Sequence, residues 1–404
     1  MSFEITFLGS SGGPLEGSTC SILLKSVNIS YEKILESHLT DELLCIDAGS
    51  GMGKLTEIIH QESTYQQSSC NLLYYYPDCE PISYYYHPSV TVTSPFKDFT
   101  PNRSLQHTQK IYNHLTNYLI THSHLDHVSA LVVNSAGFNK KYSNKIVYGA
   151  HCTINALQKH LFNGKIWPNM PSFNIVDLRY LETNRHSQIG KYNISMFDLS
   201  HGEFSKLTED PDTDCLAPLG KANHRRTSIT TIPQNSNGSA MKNSEALNQH
   251  YLSSAFLVSR NKSNLLVFGD FESDLTSKLT RNLYIWQRVA PLIINQSMAG
   301  IVLECSNSFE IDPDQLYGHL TPKLLIYELK QLANACFAID PSINQPLQNL
   351  NIIVTHVKEP IFDDDDIELS DPRKKILTEL NKLNEMEKLG CNFSIALSGT
   401  SIII

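Results

Sequence analysis

Short apolar runs alternate with turns and polar stretches along this chain, and many of the runs have the length of β-strands. Phe3 to Leu8 is the first such run, and Cys20 to Lys25 follows it as a second predicted strand. The glycine-rich segment Gly9 to Pro14 connects the two. It lacks the Lys-Ser/Thr ending of a phosphate-binding P-loop, so a hairpin turn is the favoured interpretation.

Two helices are predicted near the C-terminus. Thr321 and Pro322 form an N-cap and first-turn pair for a helix that extends to about Cys336. The segment from Pro372 to Lys388 also carries apolar residues at helical spacing. Strands occur at both ends of the chain with helices between them and no clean linker, which favours a single α/β domain over residues 1–404.

Two stretches break the regular pattern, at about 61–113 and at 205–248. The first contains tyrosine triplets and prolines, and we predict that it is an insertion outside the core. Its aromatic side chains are expected to cover a substrate cleft, to form a subunit interface or to pack on the parent domain, which leaves a homodimer open. The second is rich in Asn, Ser and Thr and predicts a long surface loop.

Composition and charge exclude several classes of function. The formal net charge of -9 argues against a surface that binds a nucleic-acid polymer. A small anionic substrate remains compatible, since a local metal cluster outweighs an acidic surface. The nine cysteines contain no Cys-x-x-Cys pair, and we find neither a secretory signal nor a membrane-spanning run. These features predict reduced thiols in a cytoplasmic protein that does not enter a membrane.

The segment Thr121 to His127, with the sequence THSHLDH, follows the apolar run Tyr118 to Ile120 directly. Its three imidazoles and one carboxylate are ligand types that suit zinc and similar divalent ions. Further apolar runs lead to His201, Asp270 and His356. Loops at one edge of a sheet converge in space, so these side chains are expected to form one site.

This arrangement resembles the metallo-β-lactamase superfamily, in which a His-x-His-x-Asp-His motif is followed by His, Asp and His at later strand ends. The resemblance implies an α/β fold, the αββα sandwich, and two divalent metal ions, Zn²⁺ being the expected metal. It also implies the ligands, which are His122, His124 and His201 for one ion, Asp126, His127 and His356 for the other, and Asp270 as a bridge between them.

Asp47 lies after an early apolar run, before Gly49 and Gly51. Its position near the same edge makes it a candidate carboxylate that orients a ligand histidine. The alternative is an ordinary turn residue, and the sequence leaves both interpretations open.

Several further segments are similar to the fungal class II cyclic-nucleotide phosphodiesterases. They include Thr121 to Ser135, Leu303 to Ser306, Leu316 to Pro322 and Val354 to Lys358, and together the similar segments span nearly the whole chain. The resemblance implies hydrolysis of cAMP, with cGMP as a second substrate, to 5′-nucleotides by a hydroxide held between the two ions. It also implies a role in ending cyclic-nucleotide signalling.

His319, two residues before the Thr321 helix start, is similar to a histidine in related phosphodiesterases that serves as an acid or phosphate contact. We therefore predict His319 as the general acid, with Asp126 as the alternative acid. Asn134 and Thr321 are candidate substrate contacts. Helix packing or capping is the alternative for Asn134, and capping is the alternative for Thr321.

Two rival functions fit parts of the same pattern. A ribonuclease Z-like RNA-processing endonuclease shares the superfamily and its metal ligands, but the acidic charge of the chain weighs against it. A non-catalytic metal-binding interaction protein is the other rival. The complete set of ligand-type residues argues against that second interpretation.

Overall fold

The computed structural model of this 404-residue chain describes residues 2–139, 141, 144–203, 216–217, 250–309, 311, 315–360 and 369–404. Within these residues, two β-sheets face each other and helices cover the outer side of each sheet. The polar stretch predicted as a surface loop at 205–248 lies outside the described residues, apart from residues 216–217. That prediction therefore stays a prediction.

The first sheet brings the two ends of the described chain together. In order across this sheet, the strands are β4 (Thr91–Thr93), β16 (Ser401–Ile403), β1 (Phe3–Gly9), β2 (Ser21–Ser26), β3 (Leu44–Ile46), β5 (Asn117–Ile120), β6 (Lys145–Gly149) and β7 (Val176–Tyr180). Strand β1 pairs antiparallel with β2 and with β16. Strands β3, β5, β6 and β7 run parallel to one another.

The second sheet carries most of the strands that lead to candidate site residues. In order, its strands are β15 (Asn392–Ile395), β14 (Asn351–Thr355), β13 (Met298–Glu304), β12 (Ser263–Phe268), β11 (His250–Arg260), β9 (Tyr192–Glu203) and β8 (His186–Ile189), with β10 (Leu216–Ala217) beside β11. Strands β12 to β15 are parallel. Their carboxyl ends therefore meet at one edge of the sheet, where ligands usually bind in such sheets.

Helices form the two outer layers. Those on the first sheet are α1 (Tyr31–Glu36), α2 (Met52–Tyr65), α4 (Ser104–His114), α5 (Leu125–Asn134) and α6 (His151–Ala156). Those on the second are α8 (Arg281–Ile294), α9 (Pro322–Ile339) and α10 (Pro372–Glu387), and the short helices are α3 (Ile82–Tyr85) and α7 (Asp274–Ser277). This layering confirms the predicted αββα sandwich. No helix among the described residues is both long enough and apolar enough to span a membrane.

The pleat of β2 explains why these strands read as continuous apolar runs. Ile22 and Leu24 belong to the core between the sheets, whereas Leu23 packs among the helices of the first outer layer. Successive side chains of a strand point to opposite faces, and here both faces are covered. The sequence therefore shows apolar runs, without the alternation of a half-exposed strand.

The prediction that residues 61–113 lie outside the core is wrong. This stretch contributes strand β4, and Leu72, Leu73 and Tyr85 are buried in the core between the sheets. Its elements are only three to five residues long between Asn71 and Thr93, so helical or strand periodicity has no room to show in the sequence. Tyr76, Tyr85 and Tyr86 bury their rings while their hydroxyls find polar partners.

Two of those hydroxyls reach a buried group of charges that we call the Arg373 cluster, made of Arg373, Glu359, Asp371, Tyr76 and Tyr85. The Arg373 guanidinium donates to Glu359 and, over 3.0 Å, to Asp371. The Tyr76 hydroxyl donates to Glu359, and the Tyr85 hydroxyl donates to Asp371. The cluster links the 61–113 stretch to the start of α10.

Candidate active site

Five strands lead into one group of polar side chains, most of which are buried. Thr121 to His127 follow β5, His201 lies in β9, Asp270 follows β12 and His356 follows β14. Glu304 ends β13, which lies between β12 and β14. The converging carboxyl ends of parallel strands thus bring residues far apart in sequence to one site.

The first donor set comprises His122, His124, His201 and Asp270, whose ligand-type atoms all lie within 4.8 Å of one another. His122 Nε2 lies 3.0 Å from His124 Nδ1 and 3.7 Å from Asp270 Oδ2. His201 Nε2 also lies 3.7 Å from Asp270 Oδ2. Burial lowers the pKa of His201 to about 3, with only partial compensation from Asp270, so this imidazole is neutral and able to bind a metal.

The second donor set comprises Asp126, His127, His356 and the same Asp270. His356 Nε2 lies 3.2 Å from Asp126 Oδ2 and 3.0 Å from Asp270 Oδ2. His127 Nε2 lies 3.3 Å from Asp270 Oδ2. Burial opposes ionisation of Asp126, but the hydrogen bond with His356 and the charge of His127 outweigh it and lower the Asp126 pKa to about 2. One carboxylate oxygen of Asp270 therefore faces both sets.

The outer partners of the histidines test whether these residues fit metal ions. In four of them a hydrogen bond holds Nδ1 and leaves Nε2 facing the donor sets, as metal-binding histidines require. The partners are Thr121 Oγ1 for His122 at 3.1 Å, Asp47 Oδ2 for His127 at 2.8 Å, the Gly318 carbonyl for His201 at 3.1 Å and Ser306 Oγ for His356 at 2.9 Å. The chemistry and orientation of these donors fit divalent metal binding at this site.

Asp47 occupies the position expected of an orienting carboxylate. It is 5% exposed, and its Oδ1 accepts a hydrogen bond from Thr121 N at 2.8 Å while Oδ2 faces His127. Its backbone adopts a left-handed conformation with φ of 55°, which is uncommon for a residue with a side chain. Asp47 is therefore a turn residue and, at the same time, a hydrogen-bond partner of a candidate ligand histidine.

Glu304 is the main site residue that the sequence analysis missed. It is 1% exposed, its Oε1 lies 2.9 Å from His319 Nδ1, and the same oxygen accepts from Phe271 N at 2.9 Å. Burial opposes its ionisation, but the charge and hydrogen bond of His319 keep the Glu304 pKa below its ordinary value. The sequence feature that could have indicated Glu304 is its position at the end of an apolar run, which resembles the position of Asp270.

Ser306 joins this pair to a metal-ligand candidate. Its hydroxyl lies 2.5 Å from Glu304 Oε2, to which it donates, and 2.9 Å from His356 Nδ1. A hydroxyl carries one hydrogen, so the bond to Glu304 makes His356 the donor to Ser306. The Glu304–His319 pair and the second donor set are thus parts of one hydrogen-bond network.

Two other neighbours of the donor sets gave no signal in the sequence. Cys20 is buried as predicted, and its Sγ lies within 4.8 Å of a ring nitrogen of His127 and of His356. Tyr251 stacks on His124 with ring centroids 4.7 Å apart, and its hydroxyl lies 2.7 Å from Ser123 Oγ. Tyr251 follows a stretch with weak apolar periodicity, so nothing in the sequence indicated that its ring contacts His124.

Asn134 and Thr321 occupy helix ends. Asn134 Oδ1 accepts a hydrogen bond from Met52 N at 2.8 Å and so caps α2, which is the capping alternative left open above. Thr321 holds the N-cap position of α9, although its side chain makes no capping hydrogen bond there. A substrate contact through either residue stays a prediction.

The glycine-rich turn supports the site. Gly12 N donates to Val357 O at 3.1 Å, and a Cβ at Gly12 would lie 2.5 Å from His356 Nδ1. The segment is the hairpin connection between β1 and β2 that the sequence favoured, and its glycine lets the backbone approach a ligand histidine.

Comparisons with known proteins agree with this architecture. A sequence model of the family "cAMP phosphodiesterases class-II" matches residues 33–399. A 3′,5′-cyclic-nucleotide phosphodiesterase of Candida albicans is 64% identical and aligns over 100% of both chains. 3′,5′-cyclic-nucleotide phosphodiesterase 1 of Saccharomyces cerevisiae is 30% identical over 100% of this chain and 99% of its own length. The crystal structure of unliganded yeast PDE1 superposes with a TM-score of 0.74 at 27% identity, covering 100% of this chain and 99% of that one. This chain belongs to the class-II cAMP phosphodiesterases.

Proposed function

We propose that this chain hydrolyses the 3′,5′-cyclic phosphodiester of cAMP, and that of cGMP, to the 5′-nucleotide, using two divalent ions held by the two donor sets. One observation carries the proposal: Asp270 Oδ2 faces both sets, and the Glu304–His319 pair lies beside them. Zinc suits the donors, since imidazole nitrogen and carboxylate oxygen are among its common protein ligands. When bound, such an ion pair polarises phosphoryl oxygens and activates water at neutral pH.

The residues around the donor sets supply the remaining chemistry. Glu304 holds His319 Nδ1, which orients the ring and leaves Nε2 to donate a proton to the departing 3′ oxygen. Asp126 is the alternative acid; its side chain is 28% exposed, and its lowered pKa requires that it first take up the proton that it would donate. The 3′ oxygen is a poor leaving group without protonation, so one of these residues is needed.

The substrate is proposed to be a small diffusible nucleotide in the cytosol, with no nucleic-acid polymer as partner. No disulfide joins the eight cysteines among the described residues, which suits a reducing compartment. The net charge of -9 disfavours long polyanions.

Product analysis tests the proposal. Zinc-reconstituted protein is incubated separately with cAMP, cGMP and a tRNA precursor, and the products are separated by chromatography. We expect 5′-AMP and 5′-GMP, an intact tRNA precursor, about two ions per chain by elemental analysis, and loss of turnover with a chelator. Formation of 3′-nucleotides, or intact cAMP in the presence of bound zinc, would overturn it.

A further inference from the structure

The loop that carries His319 holds a tyrosine in an unusual backbone conformation. Tyr317 has φ of 47° and Gly318 has φ of 80°, so two consecutive residues lie in the left-handed region. Glycine adopts this conformation readily, whereas a bulky aromatic residue does so at a cost. Such strain persists only where the surrounding structure fixes it, and it is frequent at binding sites.

Contacts with β9 fix this loop. The Gly318 carbonyl accepts from His201 Nδ1 at 3.1 Å, and a Cβ at Gly318 would lie 2.5 Å from Gly202 N. His319 N donates to Leu316 O at 3.0 Å and closes the turn. The loop is therefore bound, through a metal-ligand candidate, to the site itself, and the Tyr317 backbone has little freedom to relax.

The two ends of this turn differ sharply in exposure. His319 is 7% exposed, whereas Tyr317, two residues earlier, is 74% exposed. Leu125 shows the same feature beside His124, with 64% exposure between two ligand candidates. The His124, His201 and His319 rings follow one another with centroids 5.1 and 4.8 Å apart. Exposed side chains thus adjoin, in the sequence, the first and the last histidine of this row.

The geometry of cyclic-nucleotide hydrolysis says which part of the substrate lies near this loop. In-line displacement places the leaving oxygen opposite the nucleophile. If His319 protonates the 3′ oxygen, the ribose that carries this oxygen lies on the His319 side of the phosphorus. The base is attached to C1′, at the other side of the ribose from the cyclic phosphate, so it lies farther from the donor sets than the phosphorus does.

We propose that Tyr317 is the residue on which the purine base stacks. This inference rests on the proposed function and extends it to base recognition. A rigid exposed ring suits this role, because stacking on an aromatic side chain depends on the π-face that every base presents and little on its hydrogen-bonding groups. Tyr317 therefore supports binding of adenine and guanine nucleotides alike.

The test uses the full-length zinc-loaded protein with Tyr317→Ala and Tyr317→Phe. The substrates are cAMP, cGMP and a ribose 3′,5′-cyclic phosphate that lacks a base. We expect Tyr317→Ala to raise KM for both nucleotides by roughly tenfold to a hundredfold, the scale of a lost base–aromatic stack. We expect kcat to change little, the base-free substrate to be hydrolysed as by wild type, and Tyr317→Phe to retain the wild-type KM.

Tyr74→Ala is the matched control, since Tyr74 is 75% exposed and lies in the 61–113 stretch. It should leave both KM values unchanged. Tyr317→Asn tests backbone effects, because asparagine tolerates the left-handed region while it removes the ring; it should reproduce the Tyr317→Ala phenotype with normal metal content and Tm.

Three results would overturn the inference. An unchanged KM for cAMP in Tyr317→Ala would show that the ring does not contact the base. An equal loss on the base-free substrate would assign Tyr317 to the phosphate site or to loop structure. If the wild-type protein leaves cAMP intact, the proposed function fails and this inference fails with it. Turnover of cAMP by the wild-type protein is therefore measured before the variants are compared.

Discussion

The donor sets around Asp270 and the Arg373 cluster both bury carboxylates, but they neutralise them differently. In the Arg373 cluster, the guanidinium contacts both Glu359 and Asp371, and the tyrosine hydroxyls fill further acceptor positions. In the donor sets, Asp270 faces histidines whose Nδ1 atoms are already engaged, and no lysine or arginine contacts it among the described residues. One cluster holds its own cation, and the other is arranged to receive cations.

A third buried carboxylate, Glu62, shows a further solution, because its environment favours the protonated form. Burial raises the pKa of Glu62 to about 7, although the hydrogen bond from Phe96 N acts in the opposite direction. Ser68 Oγ donates to Thr93 O at 2.6 Å, so its single hydrogen is used there. The 2.8 Å contact between Ser68 Oγ and Glu62 Oε1 then fits a protonated Glu62 as donor. The comparison teaches that the partner of a buried carboxylate distinguishes structural sites from metal sites.

The largest expected effect comes from removing the shared carboxylate. Asp270→Ala takes one ligand from each donor set, so elemental analysis should find the bound metal reduced from about two ions per chain to less than one. The kcat/KM for cAMP should fall by roughly 10⁴-fold or more, because the ions supply several kcal/mol of transition-state stabilisation. Asp371→Asn is the control, since it also alters a buried carboxylate but should retain metal. Two tightly bound ions in Asp270→Ala would contradict the bridging assignment.

The next effect separates proton donation from metal binding. His319→Ala leaves both donor sets intact, so metal content should stay normal while kcat for cAMP falls by roughly 10²- to 10⁴-fold. A nitrophenyl phosphodiester needs little protonation of its leaving group and should show a much smaller defect. Glu304→Gln should show the same pattern with a loss of roughly 10- to 100-fold, as expected for an orienting partner. Equal defects on both substrates would transfer the acid role to Asp126.

A substitution in the Arg373 cluster should lower the stability of the protein and leave its metal content unchanged. Arg373→Met leaves Glu359 and Asp371 buried without a cation, so urea denaturation should show a loss of roughly 3–5 kcal/mol in the free energy of unfolding. The folded protein should still bind about two ions per chain. Arg373→Lys keeps the charge and should lose less. A variant with normal stability and reduced metal content would break the distinction between the two clusters.

The smallest effect concerns the pH dependence contributed by Glu62. Its pKa is about 7 in the folded state and 4.5 as the ordinary value, so the folded state binds the extra proton between these values. Its stabilising contribution is present below about pH 4.5 and is lost as pH rises through 7. Glu62→Gln mimics the protonated form, so relative to wild type it should gain on the order of 1–3 kcal/mol between pH 5 and pH 8. Parallel pH profiles for the two proteins in denaturant titrations would refute a protonated Glu62.

Much of the fold and the candidate site could be predicted because both depend on strands buried on two faces. Strands such as β2 and β12 produce apolar runs that are visible without an alignment, and ligand-type residues stand where several of these runs end. Glu304 also stands at the end of an apolar run. The sequence around a single carboxylate does not indicate whether its partner is a metal ion or a histidine.

The stretch at 61–113 escaped prediction for a different physical reason. Its contribution to the core comes from isolated side chains such as Leu72 and Tyr85 on very short elements, and their burial depends on partners more than 250 residues away, such as Asp371 for Tyr85. Long-range partners of this kind leave no local pattern. Asn134 was ambiguous because an amide serves a helix cap and a phosphate equally well.

The single hydrogen of the Ser306 hydroxyl has a consequence for any attempt to redesign this enzyme. Because Ser306 donates to Glu304 and accepts from His356, the basicity of the acid–base pair and the orientation of a ligand imidazole are set by one shared atom. Substitutions at Glu304 and His356 should therefore be non-additive: in a double-mutant cycle the second substitution costs less than it does alone, because the first has already dismantled the network. With the roles proposed for His319 and His356, a substitution that changes metal preference is therefore expected to change leaving-group preference as well.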